Sequence, residues 1–151
     1  MPPAALLALD WAQDRGHRLA KLTVTPSERN GFQLLAGRRT GVEFANRLTR
    51  QLVAKNRNLA NGSGVAIGDV DGDDLPDVYL CGLQVDNRLY RNLGDWTFED
   101  VTIRSGVACS RQYSTGALLA DVDGDSDNDL LVTGLAKGTR LFLNDGSGRF
   151  T

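Results

Sequence analysis

From residue 65 onward, apolar and polar positions group in short runs with strand character rather than at helical spacing. Residues 65–68 read as a strand. Val78-Tyr79-Leu80-Cys81 reads as a second, its β-branched and aromatic character suiting burial on both faces. Arg88-Leu89-Tyr90-Arg91 follows, then a turn at Asn92-Leu93-Gly94-Asp95, then a strand over residues 96–101 with partial alternation. Four strands in about fifty residues is the size of one propeller blade.

The same pattern returns 52 residues later without a gap. Gly64 matches Gly116, Val70 matches Val122, Gly82 and Leu83 match Gly134 and Leu135, Asn92 matches Asn144, and Phe98 matches Phe150. Such a period marks an architecture in which no unit buries its apolar face alone. The expected fold is all-β: a partial β-propeller of about two four-stranded blades, with repeats at about 62–113 and 114–151. Gly31-Phe32-Gln33-Leu34-Leu35 followed by Gly41-Val42 echoes Phe98-Glu99-Asp100-Val101 followed by Gly106-Val107, which predicts an outer strand ahead of the first blade. The propeller segment is thus placed at 31–151. Residues 45–61, rich in Asn and Arg, are expected to be a connecting loop. Residues 4–22 have helix-forming composition broken by Gly16, with an apolar stripe through Leu7, Trp11 and Leu22, so residues 1–30 are expected to be a helical lead-in. Propellers close with about four to eight blades, and Thr151 falls inside a strand. The expectation is an N-terminal fragment whose remaining blades belong to a larger protein.

Between the first two strands of each unit lies an Asp-rich turn. Residues 69–77 read Asp-Val-Asp-Gly-Asp-Asp-Leu-Pro-Asp and residues 121–129 read Asp-Val-Asp-Gly-Asp-Ser-Asp-Asn-Asp. Asp69, Asp71, Asp73 and Asp77, and likewise Asp121, Asp123, Asp125 and Asp129, fall at positions 1, 3, 5 and 9. This spacing converges hard oxygen donors on one hard cation, with Leu75 and Asp127 at position 7 supplying backbone carbonyls. Two Ca2+ sites are the expectation. Four ionised carboxylates so close would otherwise repel. Asp and Gly favour turns without any metal, but two loops in register with the same four carboxylates favour the ion. An EF-hand is excluded: position 12 is Leu80 or Val132, and the flanks are strand-like rather than helical.

Charge adds to this picture. The formal net charge is -2, but residues 61–151 carry seven Lys/Arg against fifteen Asp/Glu, and ten of those fifteen acids lie in the two loops. Two divalent cations would offset about half the excess, so the segment need not be a generally acidic surface. The scattered arginines between 38 and 57 carry no nucleic-acid motif. Cys81 and Cys109 sit in no metal spacing and are either free thiols or one disulfide. No apolar run reaches the length of a membrane span, and no signal peptide is visible. The only histidine, His17, lies outside the repeats, and no nucleophile pairing or phosphate loop occurs, so no catalytic residues are assigned. The alternative reading is a carbohydrate-binding module or part of a polysaccharide-active enzyme. Trp96, Tyr79 and Tyr90 are candidates for stacking on sugars, with core packing the stronger expectation for each.

Gly-Val-Ala-Ile-Gly-Asp-Val-Asp-Gly-Asp, Asp-Val-Tyr-Leu-Cys-Gly, Asn-Arg-Leu-Tyr-Arg-Asn and Phe-Glu-Asp-Val-Thr together resemble FG-GAP/VCBS repeats, the calcium-loop blades of integrin alpha-type propellers. The likeness extends to large bacterial secreted proteins that combine such repeats with an ASPIC/UnbV domain, and it covers about residues 31–151. It implies a seven-bladed propeller, calcium held in the loop between the first two strands, and an extracellular or surface setting. The expected function is a non-enzymatic, calcium-stabilised scaffold for extracellular binding or adhesion with a protein or glycan as ligand, the parent protein being extracellular, cell-surface or periplasmic. The family usually has Gly at loop position 6, where this chain has Asp74 and Ser126. Ser adopts a left-handed backbone less readily than Asp, so the second loop is expected to be the looser.

Overall fold

A computed structural model describes residues 11–14, 17–20, 32–135 and 137–151. It divides into two units, residues 1–34 and 35–151, each taken by itself.

In the first unit, β1 (Trp11–Asp14) and β2 (His17–Ala20) form an antiparallel pair, with Trp11 opposite Ala20 and Asp14 opposite His17. This corrects the helical lead-in over these residues. Only Arg15 and Gly16 lie between the paired ends, and a glycine in a two-residue connection is a hairpin signal; the cross-strand ladder outweighs modest helix propensity. The remainder of the expected helix lies outside the described residues. Residues 32–36 carry no strand, so the expected outer strand is not formed there. Such a strand needs the inner strands of a preceding sheet as a pairing partner.

The second unit holds both repeats. Ahead of the first sheet are α1 (Gly37–Thr40) and α2 (Arg50–Lys55), followed by a 3-10 helix (Arg57–Asn61). Residues 45–61 are therefore not a plain loop. The Thr49 side chain accepts from the Leu52 amide and the Asn56 side chain from the Asn58 amide, capping α2 and the 3-10 helix in turn.

The first sheet has the order β3 (Val65–Gly68), β4 (Asp77–Leu80), β5 (Arg88–Asn92), β6 (Phe98–Asp100), all antiparallel. After α3 (Thr102–Ser105) comes a second sheet of β7 (Tyr113–Ala120), β8 (Asp129–Leu135) and β9 (Gly138–Phe142). Its fourth strand is reduced to a bridge between Asn144 and Phe150, flanked by reciprocal amide bonds between Leu143 and Thr151. The expected start of β6 at Trp96 is also shortened. Asp95 and Trp96 take positive φ, 49° and 61°, which suits a turn and not a strand.

One buried cluster joins the two sheets. The first contributes Ala66, Tyr79, Cys81 and Leu89; the second contributes Leu130 and Val132, with Ala117, Leu119 and Phe142 packed against them. Shifting these two sets by 52 residues gives the outer faces. Leu118, Leu131 and Leu141 occupy the second sheet's free side, with Leu118 57% exposed, and Val65 and Ile67 occupy the first sheet's, with Ile67 63% exposed. Each sheet thus displays outward the side that its neighbour buries. The innermost strands β3 and β7 meet at repeat-equivalent glycines: a Cβ at Gly64 would lie 2.6 Å from the Cα of Gly116.

Beneath β4, the Tyr79 hydroxyl donates to the Val107 carbonyl at 2.7 Å and accepts from Asn87 Nδ2 at 2.6 Å, while Asn87 Oδ1 accepts from the Gly82 amide at 2.7 Å. Burial of Tyr79 and Tyr90 removes both from the candidates for sugar stacking. Cys81 and Cys109 are both free and buried. Burial pushes the Cys81 thiol up to about 11 and raises Cys109 as well. At pH 8 the folded chain is therefore expected to react with a thiol reagent such as dithiobis-nitrobenzoate only after denaturant is added. Rapid labelling of either cysteine in buffer would contradict the packing. Because the folded thiol holds its proton more tightly than the unfolded one, its contribution to stability is present below about pH 9 and lost as pH rises through about 11.

Candidate metal centre

Both Asp-rich turns connect the first two strands of their sheets, β3 to β4 and β7 to β8. In the first, carboxylate oxygens of Asp69, Asp71 and Asp77 lie within 4.8 Å of one another; in the second, those of Asp121, Asp123 and Asp129 do. Positions 1, 3 and 9 therefore converge in both copies. Position 5 does not join them: Asp73 turns to the Leu75 amide and to Arg91, and Asp125 accepts from the Asp127 amide. At position 7, the Leu75 amide donates to Asp73 and the Asp127 carboxylate lies beside Gly146.

Backbone amides hold the convergence in place. Asp69 Oδ1 accepts from the amides of Asp71 and Gly72, and Oδ2 from that of Asp74, at 2.8–3.1 Å. Burial alone would raise the Asp69 carboxyl, but these amides outweigh it and the net shift is downward. Asp121 accepts from Gly124 and Ser126 at 2.7 and 3.1 Å. At position 9, Asp77 is fully buried and accepts from Val70 at 2.9 Å and Asn92 at 2.7 Å; Asp129 accepts from Val122 at 2.9 Å and Asn144 at 2.8 Å. Burial, followed by the charges of Asp71 and Asp73, raises Asp77 against those amides. In the second turn Asp123 and Asp127 are raised by desolvation and by the neighbouring carboxylates.

Position 6 has the left-handed backbone the turn requires, with φ of 64° at Asp74 and 79° at Ser126. Ser126 thus takes a conformation that glycine adopts most readily.

The donor set suits a hard divalent cation. Every converging side-chain atom is a carboxylate oxygen, and Asp71 Oδ1 is buried with no hydrogen-bond partner in the first turn. Arg91 Nε stands against Asp71 Oδ2 as an ion pair without hydrogen-bond geometry, and Arg91 Nη2 meets Asp73 Oδ2 at 3.0 Å. The charge of Asp71 raises the Arg91 guanidinium above its ordinary value.

Three residues were not legible as part of the site from spacing within one loop. Asn92 and Asn144 donate their amides to the position 9 carboxylates, and their side chains fasten the same turn through the carbonyls of Pro76 and Asn128. Asn128 Nδ2 donates to the Asp69 carbonyl at 2.8 Å and Asn144 Nδ2 to the Val70 carbonyl at 2.8 Å, so the second repeat holds the first repeat's turn. The repeat match of Asn92 with Asn144 was the available signal; Asn128 had none, its counterpart being Pro76.

Packed antiparallel sheets, each carrying an acidic turn between its first two strands, define a blade-type repeat protein. In keeping with this, residues 69–132 match the FG-GAP-like repeat, a span that opens on the first aspartate of one turn and closes just past the other. The chain is similar to Cartilage acidic protein 1 of Xenopus tropicalis, 29% identical over 119 residues that cover 72% of this chain and 18% of that protein. It is also similar to Cartilage acidic protein 1 of Homo sapiens, 30% identical over 82 residues covering 54% and 12%. The chain therefore spans less than a fifth of the length of these relatives. No helix among the described residues is long and apolar enough to cross a membrane.

Proposed function

We propose that residues 35–151 are two blades of a calcium-stabilised β-propeller serving as a non-enzymatic scaffold for extracellular binding or adhesion. The observation that carries this reading is the duplicated convergence of positions 1, 3 and 9 within 4.8 Å, at the turn that sets the first two strands of each sheet. Asp69, Asp71 and Asp77 would hold one ion and Asp121, Asp123 and Asp129 the other. Asp73 and Asp125 would close in from position 5, with the carbonyls of Leu75 and Asp127 completing each shell. The ion supplies charge compensation that lets the carboxylates stay ionised side by side. Its role is structural. The outward faces at Ile67 and Leu118 are the seats of further blades, and the ligand is a protein or glycan held by the assembled propeller. Weak calcium sites of this kind fill outside the cell, where the ion is abundant. The name shared by the relatives agrees with such a setting.

For a site with a dissociation constant tenfold below the calcium concentration, linkage gives roughly 1.4 kcal/mol of stabilisation. Melting temperature is accordingly expected to rise with calcium, and the rise to shrink by about half in Asp71→Ala or Asp123→Ala. An unchanged response in both variants, measured by circular dichroism in EDTA and in millimolar calcium, would sink the assignment.

One observation favours the carbohydrate reading. Trp96, 70% exposed, lines an apolar groove of ≈ 480 Å³ with Ile67, Leu75, Pro76, Val78 and Phe98, so this second reading requires the face at Ile67 to stay uncovered by a further blade. A glycan array probed with the wild-type chain and Trp96→Ala tests it, and binding lost in the variant would support this reading over protein adhesion.

A further inference from the structure

The two turns differ in one respect that their aligned aspartates conceal. Each contains five aspartates, but only the first is faced by a cation: Arg91, on β5, sets its guanidinium against Asp71 at position 3 and Asp73 at position 5. The 52-residue offset carries Arg91 to Leu143, which has no charge, and no salt bridge to the second turn is formed among the described residues. The guanidinium therefore draws on a carboxylate of the first three-oxygen cluster. It does not satisfy that carboxylate, since Asp71 Oδ1 remains buried and unpartnered. This is the arrangement of a competitor for the site, not of a substitute for the ion.

Resting on the calcium reading above, we propose that Arg91 is a built-in counter-cation that weakens the first site, so that the chain takes up calcium in order, the second turn before the first. An ion entering the first turn must break the contacts of Arg91 with Asp71 and Asp73. Arg91 already lines a groove of ≈ 360 Å³ together with Asp71, Arg104 and Arg149, so once Asp71 turns to the ion the guanidinium is left beside Arg149 and Arg104 without that counter-charge. Arg91 is about a third exposed, so solvent screens part of this cost. The second turn meets no such requirement. Arg91 thus sets a difference in affinity between two loops that share aspartates at positions 1, 3, 5 and 9, and with it the calcium range over which the first blade is locked.

Calcium titration of the full 151-residue chain by isothermal calorimetry tests this. Two classes of site are expected, separated by about fivefold, the upper end of the free energy of a partly exposed ion pair expressed as an affinity ratio. Asp123→Ala should delete the tighter class and Asp71→Ala the weaker. Arg91→Leu, the residue the second repeat carries at this register, should tighten the weaker class by about fivefold and merge the two. Leu143→Arg should weaken the tighter class by a similar factor. Arg91→Gln guards against a packing artefact and should behave as Arg91→Leu does. A folded Arg91 variant whose two affinities stay within about twofold of wild type, or loss of the tighter class in Asp71→Ala, would overturn the role of Arg91 and leave the calcium reading standing. A wild-type chain that takes up no calcium at either loop would overturn both.

Discussion

Asp77→Ala is expected to lower the melting temperature by roughly 4–24 °C, in EDTA as well as in calcium. Asp77 is fully buried and accepts from the amides of Val70 and Asn92. Removing the carboxylate strands both donors, at about 1–3 kcal/mol each, and a chain of this size loses about 2–4 °C per kcal/mol. The persistence of the loss in EDTA is the distinguishing outcome. Asp77 is both a member of the acidic cluster and the brace that ties the start of β4 to the turn and to the end of β5, and the brace needs no ion. Asp77→Asn, which retains one acceptor oxygen, should fall between wild type and Asp77→Ala. If the three proteins melt together in EDTA and separate only in calcium, position 9 is a ligand and nothing more.

Gly64→Ala is expected to cost about 1–3 kcal/mol, the range of a core substitution that forces rigid groups apart. The added methyl would meet the Cα of Gly116 at 2.6 Å and the Ala117 amide nitrogen at 3.1 Å, and neither can rotate away as a side chain would. The strands β3 and β7 would have to separate, loosening the cluster that includes Ala66, Leu130 and Val132. Chemical denaturation should register the loss of stability, and hydrogen exchange should find it concentrated in β3 and β7. By contrast, Gly72→Ala in the first turn meets no atom within 4 Å, and its cost is limited to its positive φ. Equal stability of Gly64→Ala and wild type would mean that the two sheets pack less closely than described.

The parts of this fold that could be read from sequence are those the chain writes twice. β3 occupies the expected residues, and the strand, acidic turn and strand unit recurs at the 52-residue offset because the same contacts pin each copy. Positions 1, 3 and 9 lie together in both turns, whereas position 5, expected with them, turns elsewhere. What could not be read depends on partners from other strands. Arg91 lies 18 residues beyond Asp73 on β5, and nothing within either loop reveals that it points back to the turn. Asn87 looks like a surface residue but is fully buried beneath Tyr79. The capping residues Thr49 and Asn56 stood in plain view, yet the Asn- and Arg-rich composition around them reads as loop. At the N terminus, the stripe through Leu7, Trp11 and Leu22 suggested a helix where Trp11–Asp14 and His17–Ala20 pair instead. Local propensity is a weak guide where a two-residue connection can close a ladder.

The bonds from Asn128 to the Asp69 carbonyl and from Asn144 to the Val70 carbonyl run in one direction only, from the later repeat to the earlier. They give the array a polarity that matters while the chain is being made. At about 5–20 residues per second, the interval between synthesis of Val70 and of Asn144, 74 residues on, is about 4–15 s. For most of that interval the first turn lacks both hydrogen-bond partners, Asn128 following Asp69 by 59 residues and Asn144 arriving last. Each blade, on this pattern, matures only when its successor has emerged, so a ribosome stalled or released between the two repeats would leave a first turn with its carboxylates assembled and its backbone unfinished.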